Sequence, residues 1–177
     1  MKQLFPADPG TTRVVHYIVS HTEPGQLGAT KLNKVMWKAD VLHYRRYGKS
    51  ITGQMSYVRM PQGPVPNYVK DALDELKSQR KISEREAETP AGTRREFVWL
   101  ERAPADGFSA QEIETLHDAI DAVCRHSASS ASSHTHDALW EELADGEQMP
   151  IRAAAVSVGQ LEPDDIAWAL AELRPAE

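Results

Sequence analysis

The stretch from Thr30 to Gly48 constrains this chain more than any other, because its pattern fits a long amphipathic helix and nothing else. Leu32, Val35, Met36 and Ala39 form an apolar stripe at helical spacing, which His43 and Tyr47 extend. Thr30 is the expected N-cap, and Gly48 stands where a C-terminal cap glycine belongs. At 100° per residue, Lys31, Lys34, Lys38, Arg45 and Lys49 fall within about 60° of one another beside the stripe. The helix is therefore both amphipathic and basic.

The flanking segments predict a mixed but mainly helical domain. Residues 1–10, with Pro6, Pro9 and Gly10, read as a flexible N-terminal arm. Thr11 or Thr12 is expected to cap a helix to about Thr22, burying Val14, Val15, Ile18 and Val19, before Pro24 and Gly25 stop it. After the basic helix, Ile51-Thr52-Gly53 predicts a turn and Tyr57 to Met60 a strand. In Gln62-Gly63-Pro64-Val65-Pro66, Pro64 or Pro66 is expected in the first turn of a helix reaching about Gln79. Residues 81–102 read as two strands around Thr89-Pro90-Ala91-Gly92, the charged first strand being an edge. Ser109-Ala110-Gln111-Glu112 is a capping box that opens a helix to about Arg125.

Beyond that, Ser127 to Ser133 predicts a loop, Asp137 to Leu143 a short helix and Asp145 to Gln148 a turn. Pro163-Asp164-Asp165 is expected to start a last helix through Ile166, Trp168, Leu170 and Leu173. The expected class is α+β, mainly α, with residues 11–177 forming a single compact helical domain that carries a small antiparallel β element. At 177 residues the chain is long enough for one real core and short for two.

Charge is unevenly placed. Residues 1–80 hold twelve basic and six acidic side chains, whereas residues 81–177 hold eight and twenty, under an overall net charge of −6. Such polarity marks either a face for an oppositely charged partner or one half packing on the other. No stretch approaches the roughly 20 apolar residues of a membrane span, and Met1 to Gly10 lacks a signal-peptide core, so a cytoplasmic protein without membrane contact is expected.

A search for catalytic chemistry finds no Gly-x-Ser-x-Gly, no Gly-rich phosphate loop and no His-Glu-x-x-His. Adjacent helical residues diverge by about 100°, so Asp164-Asp165 and Glu141-Glu142 form no proton-sharing dyad. Cys124 reads as a small half-buried hydrophobe. Together with His126, His134 and His136 it offers a zinc-like donor set, but Cys124 and His126 lie two apart on a helix and diverge. The expectation is no enzyme, no metal and no cofactor. The basic helix over 30–47, with Arg46, Trp37, Tyr44 and Tyr47, offers a second reading as a DNA-binding regulator, against the acidic overall charge.

One block goes further than the physics. Lys31-Leu32-Asn33-Lys34-Val35-Met36-Trp37-Lys38-Ala39-Asp40, His43-Tyr44, Tyr47-Gly48, Ile51-Thr52-Gly53 and Gln62-Gly63-Pro64-Val65-Pro66 occur in order. This block resembles the signature of the Panacea domain, the SocA-like antitoxin family, over residues 30–70 and more faintly to Trp140. Trp37 and Lys38 depart from it, standing where the family more often has an aromatic pair. The resemblance implies a bacterial type II toxin–antitoxin system, often carried by a prophage, in which the protein neutralises a toxin encoded by the neighbouring gene through direct binding. One family member instead delivers its toxin to a cytoplasmic protease as an adaptor. On this reading Lys31, Leu32, Lys34, Asp40, His43, Gly53, Gly63, Pro64 and Val65 hold the fold, and Trp37, Tyr44 and Tyr47 are expected as exposed aromatics that meet the partner.

Overall fold

The structure, a computed structural model, describes residues 8–89, 92–125 and 138–157. Helix α1 spans Pro9–Ser20. Its cap is Asp8, whose carboxylate accepts the Thr11 N–H and hydroxyl, each at 2.8 Å, so neither Thr11 nor Thr12 caps it. Pro9 at the first helical position lacks the N–H that would have been orphaned there. The expected arm thus yields its last two residues to the helix, and Thr11 is fully buried.

A 3₁₀ turn, Pro24–Gln26, leads to α2 at Ala29–Tyr47. Gly28, not Thr30, is its N-cap, and Gly48 at φ 71° closes it by donating to Tyr44 O at 2.8 Å. Strands β1 (Ser56–Met60) and β2 (Gly63–Pro66) form a hairpin, and β5 (Gln148–Pro150) pairs antiparallel with the other side of β1. Pro64 and Pro66 therefore lie in a strand, not in a helical turn. Helix α3, Val69–Ser78, starts only after Tyr68, which sits at φ 61°.

Strands β3 (Ile82–Thr89) and β4 (Gly92–Trp99) make a separate two-stranded antiparallel ribbon, with Pro90 and Ala91 outside the described residues. Helix α4, Ala110–Cys124, opens on the capping box anticipated at Ser109 and Glu112, both arms of which are made. A short helix α5 (Ala138–Glu142) precedes β5, and α6 (Ile151–Ser157) follows it directly. The expected Ser127–Ser133 loop and the helix from Pro163 lie outside the described residues.

The class is α+β, mainly helical with small antiparallel sheets. Helix α2 is its axis, touching α1, α4, α6 and β2. Leu32, Val35, Met36 and Ala39 of α2 are fully buried among Val14 and Ile18 of α1, Leu116 of α4, and Met149 and Ile151 at the β5–α6 junction. Each such large side chain contributes about 1.5–3 kcal/mol by leaving water. Among the described residues no helix is long and apolar enough to cross a membrane.

Candidate functional site

The signature residues converge on the turn after α2. Asp40 is fully buried, and its carboxylate accepts Ile51 N–H at 2.7 Å, Thr52 N–H at 3.0 Å, the Thr52 hydroxyl, and the Tyr57 hydroxyl at 2.9 Å. Burial pushes the carboxyl above its ordinary value, and the four donors oppose that push. The Tyr57 hydroxyl is held well above its usual range by burial and by the Asp40 charge, so it stays protonated and donating.

From this turn a hydrogen-bonded chain runs outward. Thr52 Oγ1 accepts Gln54 N–H at 3.1 Å, Gln54 Nε2 donates to Thr11 Oγ1 at 2.8 Å and Asn67 O at 3.0 Å, and Asn67 N–H returns to Gln54 Oε1 at 2.9 Å. Ile51-Thr52-Gly53 thereby fastens α1, α2, β1 and the entry to α3 together. Gly53 sits at φ 83°, a conformation that favours glycine.

The other signature residues also close on backbone. Lys34 is 1% exposed, and its ammonium donates to Gln62 O at 2.6 Å; burial lowers its pKa to about 8. His43 is buried and donates from Nδ1 to Lys49 O at 2.8 Å. Lys31 donates to Cys124 O at 3.3 Å, placing a cation at the C-terminus of α4 where the helix dipole favours it. Leu32 is fully buried, Gly63 takes φ 114°, Pro64 is buried and Val65 is half-buried. This geometry fits residues that hold a fold.

The three aromatics part company. Trp37 is only 4% exposed and packs against the Tyr57 ring at 5.1 Å between centroids, so it is no surface residue. The reason is the central place of α2: with helices and strands on several sides, Lys34, Val35, Met36 and Trp37 are buried in succession. Tyr44 is half-buried, and Tyr47 is 39% exposed with its ring 4.7 Å from His43. Only the C-terminal end of α2 presents the expected aromatic surface.

The cationic stripe breaks up for a related reason. Lys34 is interior, and Arg46 pairs with Asp118 of α4 at 3.0 Å. Arg13–Glu112, Lys77–Glu84 and Arg59–Asp145 likewise join a basic residue of the first half to an acidic residue of the second. Packing of one half on the other thus absorbs part of the charge asymmetry, although each partly exposed pair stabilises by at most about 1 kcal/mol. On and just beyond α2, the side chains of Lys38, Arg45 and Lys49 have no ion-pair or hydrogen-bond partner among the described residues.

Sequence reasoning did not bring together the polar cavity of ≈ 500 Å³ between the end of α1, the residues after β4 and α4. His21 and His117 line it beside Trp99, Arg102 and Cys124. The Tyr17 hydroxyl lies 3.1 Å from His117 Nε2, and the Tyr17 ring stacks on His21 at 3.9 Å. Burial first, then the Arg102 charge, lowers the His21 pKa, while burial raises that of the Cys124 thiol. No local pattern signals this grouping, which joins residues a hundred positions apart. Among the described residues no three His, Cys, Asp or Glu could hold a metal ion; His126, His134 and His136 lie outside them.

The family described as antitoxin SocA-like, Panacea domain, matches the chain over residues 32–141. No curated protein and no solved structure matches it.

Proposed function

Because the chain belongs to the SocA-like antitoxin family, Panacea domain, we propose that it is the antitoxin of a type II system, neutralising a protein toxin from the neighbouring gene by direct binding. The observation that carries the reading is the state of the signature side chains. Asp40, Lys34 and His43 are buried and bonded to backbone groups, so these signature side chains build a scaffold and do not themselves face a partner or substrate. A binding protein needs a rigid frame and a surface, and this frame leaves Lys38, Tyr44, Arg45 and Tyr47 along the C-terminal half of α2, with Lys49 just beyond it, as the first surface to examine. Work in the bacterial cytoplasm without a cofactor accords with this role.

Growth rescue tests the proposal. The neighbouring reading frame is expressed alone, then with this protein, in a host with its cytoplasmic proteases and in one lacking them. Arrest relieved in both hosts supports neutralisation by occlusion. Relief that requires the proteases assigns the adaptor route instead. A harmless neighbour, or arrest that persists on co-expression, would overturn the antitoxin reading.

A further inference from the structure

The two sheets treat their edges in opposite ways. In the three-stranded sheet, Arg59 N–H bonds Glu147 O at 2.8 Å, so Arg59 faces β5 and its partner Pro64 faces away from β1. By the alternation of an antiparallel ladder Pro66 and, on the far edge, Pro150 also turn outward. Proline has no N–H, so all three remove donors from the sheet's rims.

The β3–β4 ribbon lacks that protection. Leu100 N–H donates to Lys81 O at 2.8 Å, which fixes the alternation: Ser83, Arg85 and Ala87 face β4, while Ile82, Glu84, Glu86 and Glu88 turn their N–H and C=O outward. The backbone groups of Glu84, Glu86 and Glu88 have no partner among the described residues, and Glu86 and Glu88 are exposed. The outer side of β4 is covered instead. Arg95 O lies 3.2 Å from where a Cβ on Gly28 would stand, and Arg94 donates to Gly25 O at 2.8 Å. On the ribbon's other face Glu96, 3% exposed, is fastened by Arg85 at 3.1 Å and by Arg94, so the edge is held by a firm ribbon.

Charge selects what this edge will accept. Glu84, Glu86 and Glu88 share one face of β3. Lys77 and Arg95 already pair with Glu84 at 3.2 Å each, whereas Glu86 and Glu88 have no ion-pair partner among the described residues and carry the free charge. Antiparallel pairing of two copies requires outward residues to oppose outward residues, so the registers that overlap these glutamates set Glu against Glu, which is destabilising. A strand with cations at alternate positions meets the opposite situation.

We propose that the outer edge of β3 takes up an extended segment of the protein partner as a third strand, one carrying Lys or Arg at every second position. This rests on the partner-binding reading above and says how the partner is held: main-chain bonds to Glu84, Glu86 and Glu88 supply affinity, and cross-strand ion pairs supply selection.

The test uses the whole protein and two peptides of equal composition, Lys-Thr-Lys-Val-Lys-Thr-Lys and Lys-Lys-Lys-Lys-Thr-Val-Thr, with binding read by fluorescence anisotropy and protection by amide hydrogen exchange. The alternating peptide is expected to bind roughly tenfold tighter than the grouped one and to slow exchange at Glu84, Glu86 and Glu88. Glu86→Pro removes one outward donor without breaking a β3–β4 bond and should weaken binding about tenfold, against about threefold for Glu86→Gln, which keeps the N–H. If Glu86→Pro melts early, Glu86→Lys with Glu88→Lys replaces it and should transfer preference to the Glu-containing counterpart of the alternating peptide. Equal binding of the two peptides, or protection that misses these amides, would overturn the proposal. The neighbour-encoded protein, tested in parallel, judges the other claim: its failure to bind counts against the antitoxin reading, and the peptide result still decides the edge.

Discussion

The Tyr57 hydroxyl of β1 donates to the Asp40 carboxylate of α2 at 2.9 Å, with neither side chain reaching solvent. Removing either group leaves the other without its partner in the interior. Tyr57→Phe is expected to cost about 1.5–3 kcal/mol, the worth of a hydrogen bond to a charged group. Asp40→Ala strands four donors and should cost about 3–5 kcal/mol, with the double variant less destabilised than the sum. Urea unfolding followed by circular dichroism measures all three.

Trp37 and Tyr47 should separate stability from binding. Trp37→Ala empties a buried site against Tyr57 and is expected to destabilise by about 3–5 kcal/mol. Tyr47→Ala, at an exposed helix end, should cost about 1 kcal/mol or less while weakening the partner complex. Thermal melts alongside titration calorimetry with the neighbour-encoded protein check both.

Lys34 predicts a particular pH dependence. The folded chain releases the Lys34 proton near pH 8, whereas the unfolded chain holds it to about 10.5. Between those values the unfolded state binds more protons, so stability rises with pH on this account. Relative to Lys34→Met, the wild type should gain about 2 kcal/mol from pH 8 to pH 10. Urea midpoints of both proteins across that range decide it; parallel profiles would refute the assignment.

Gly10→Ala sets two effects in opposition. Alanine favours an ordinary helix position by about 1 kcal/mol over glycine. Here the added Cβ would stand 2.1 Å from Thr52 O, a backbone atom that Asp40 holds in place through the neighbouring N–H. The substitution should therefore destabilise, by about 1–3 kcal/mol, with a lowered thermal midpoint as the readout.

What the sequence makes legible is local chemistry. The C-terminal end of α2 at its Gly48 cap and the Ser109 capping box follow from neighbouring residues and appear as expected, while α2 starts at Ala29, ahead of the expected Thr30 cap. The same logic places Pro64 or Pro66 in the first turn of a helix because it cannot see that Met60 and Gly63 close a hairpin. It calls Trp37 exposed because an amphipathic pattern assumes one buried face, whereas α2 is enclosed on several. The strand Gln148–Pro150 is too short to announce itself and exists only because β1 offers it an edge.

That last pairing has a consequence for the order of assembly. Tyr57 waits for Met149, which leaves the ribosome more than ninety residues later, and the core waits with it for Ile151 and Ala154. The hairpin and α2 emerge early, yet the sheet between them and the rest of the core completes only when nearly the whole described chain has been made. Closing so long a loop carries an entropic cost that local contacts do not. A nascent or truncated chain ending at residue 141, where the family match ends, would leave β1 with one side unpaired. Such a chain is a candidate for degradation, so the amount of folded protein would follow completed synthesis, not initiated synthesis.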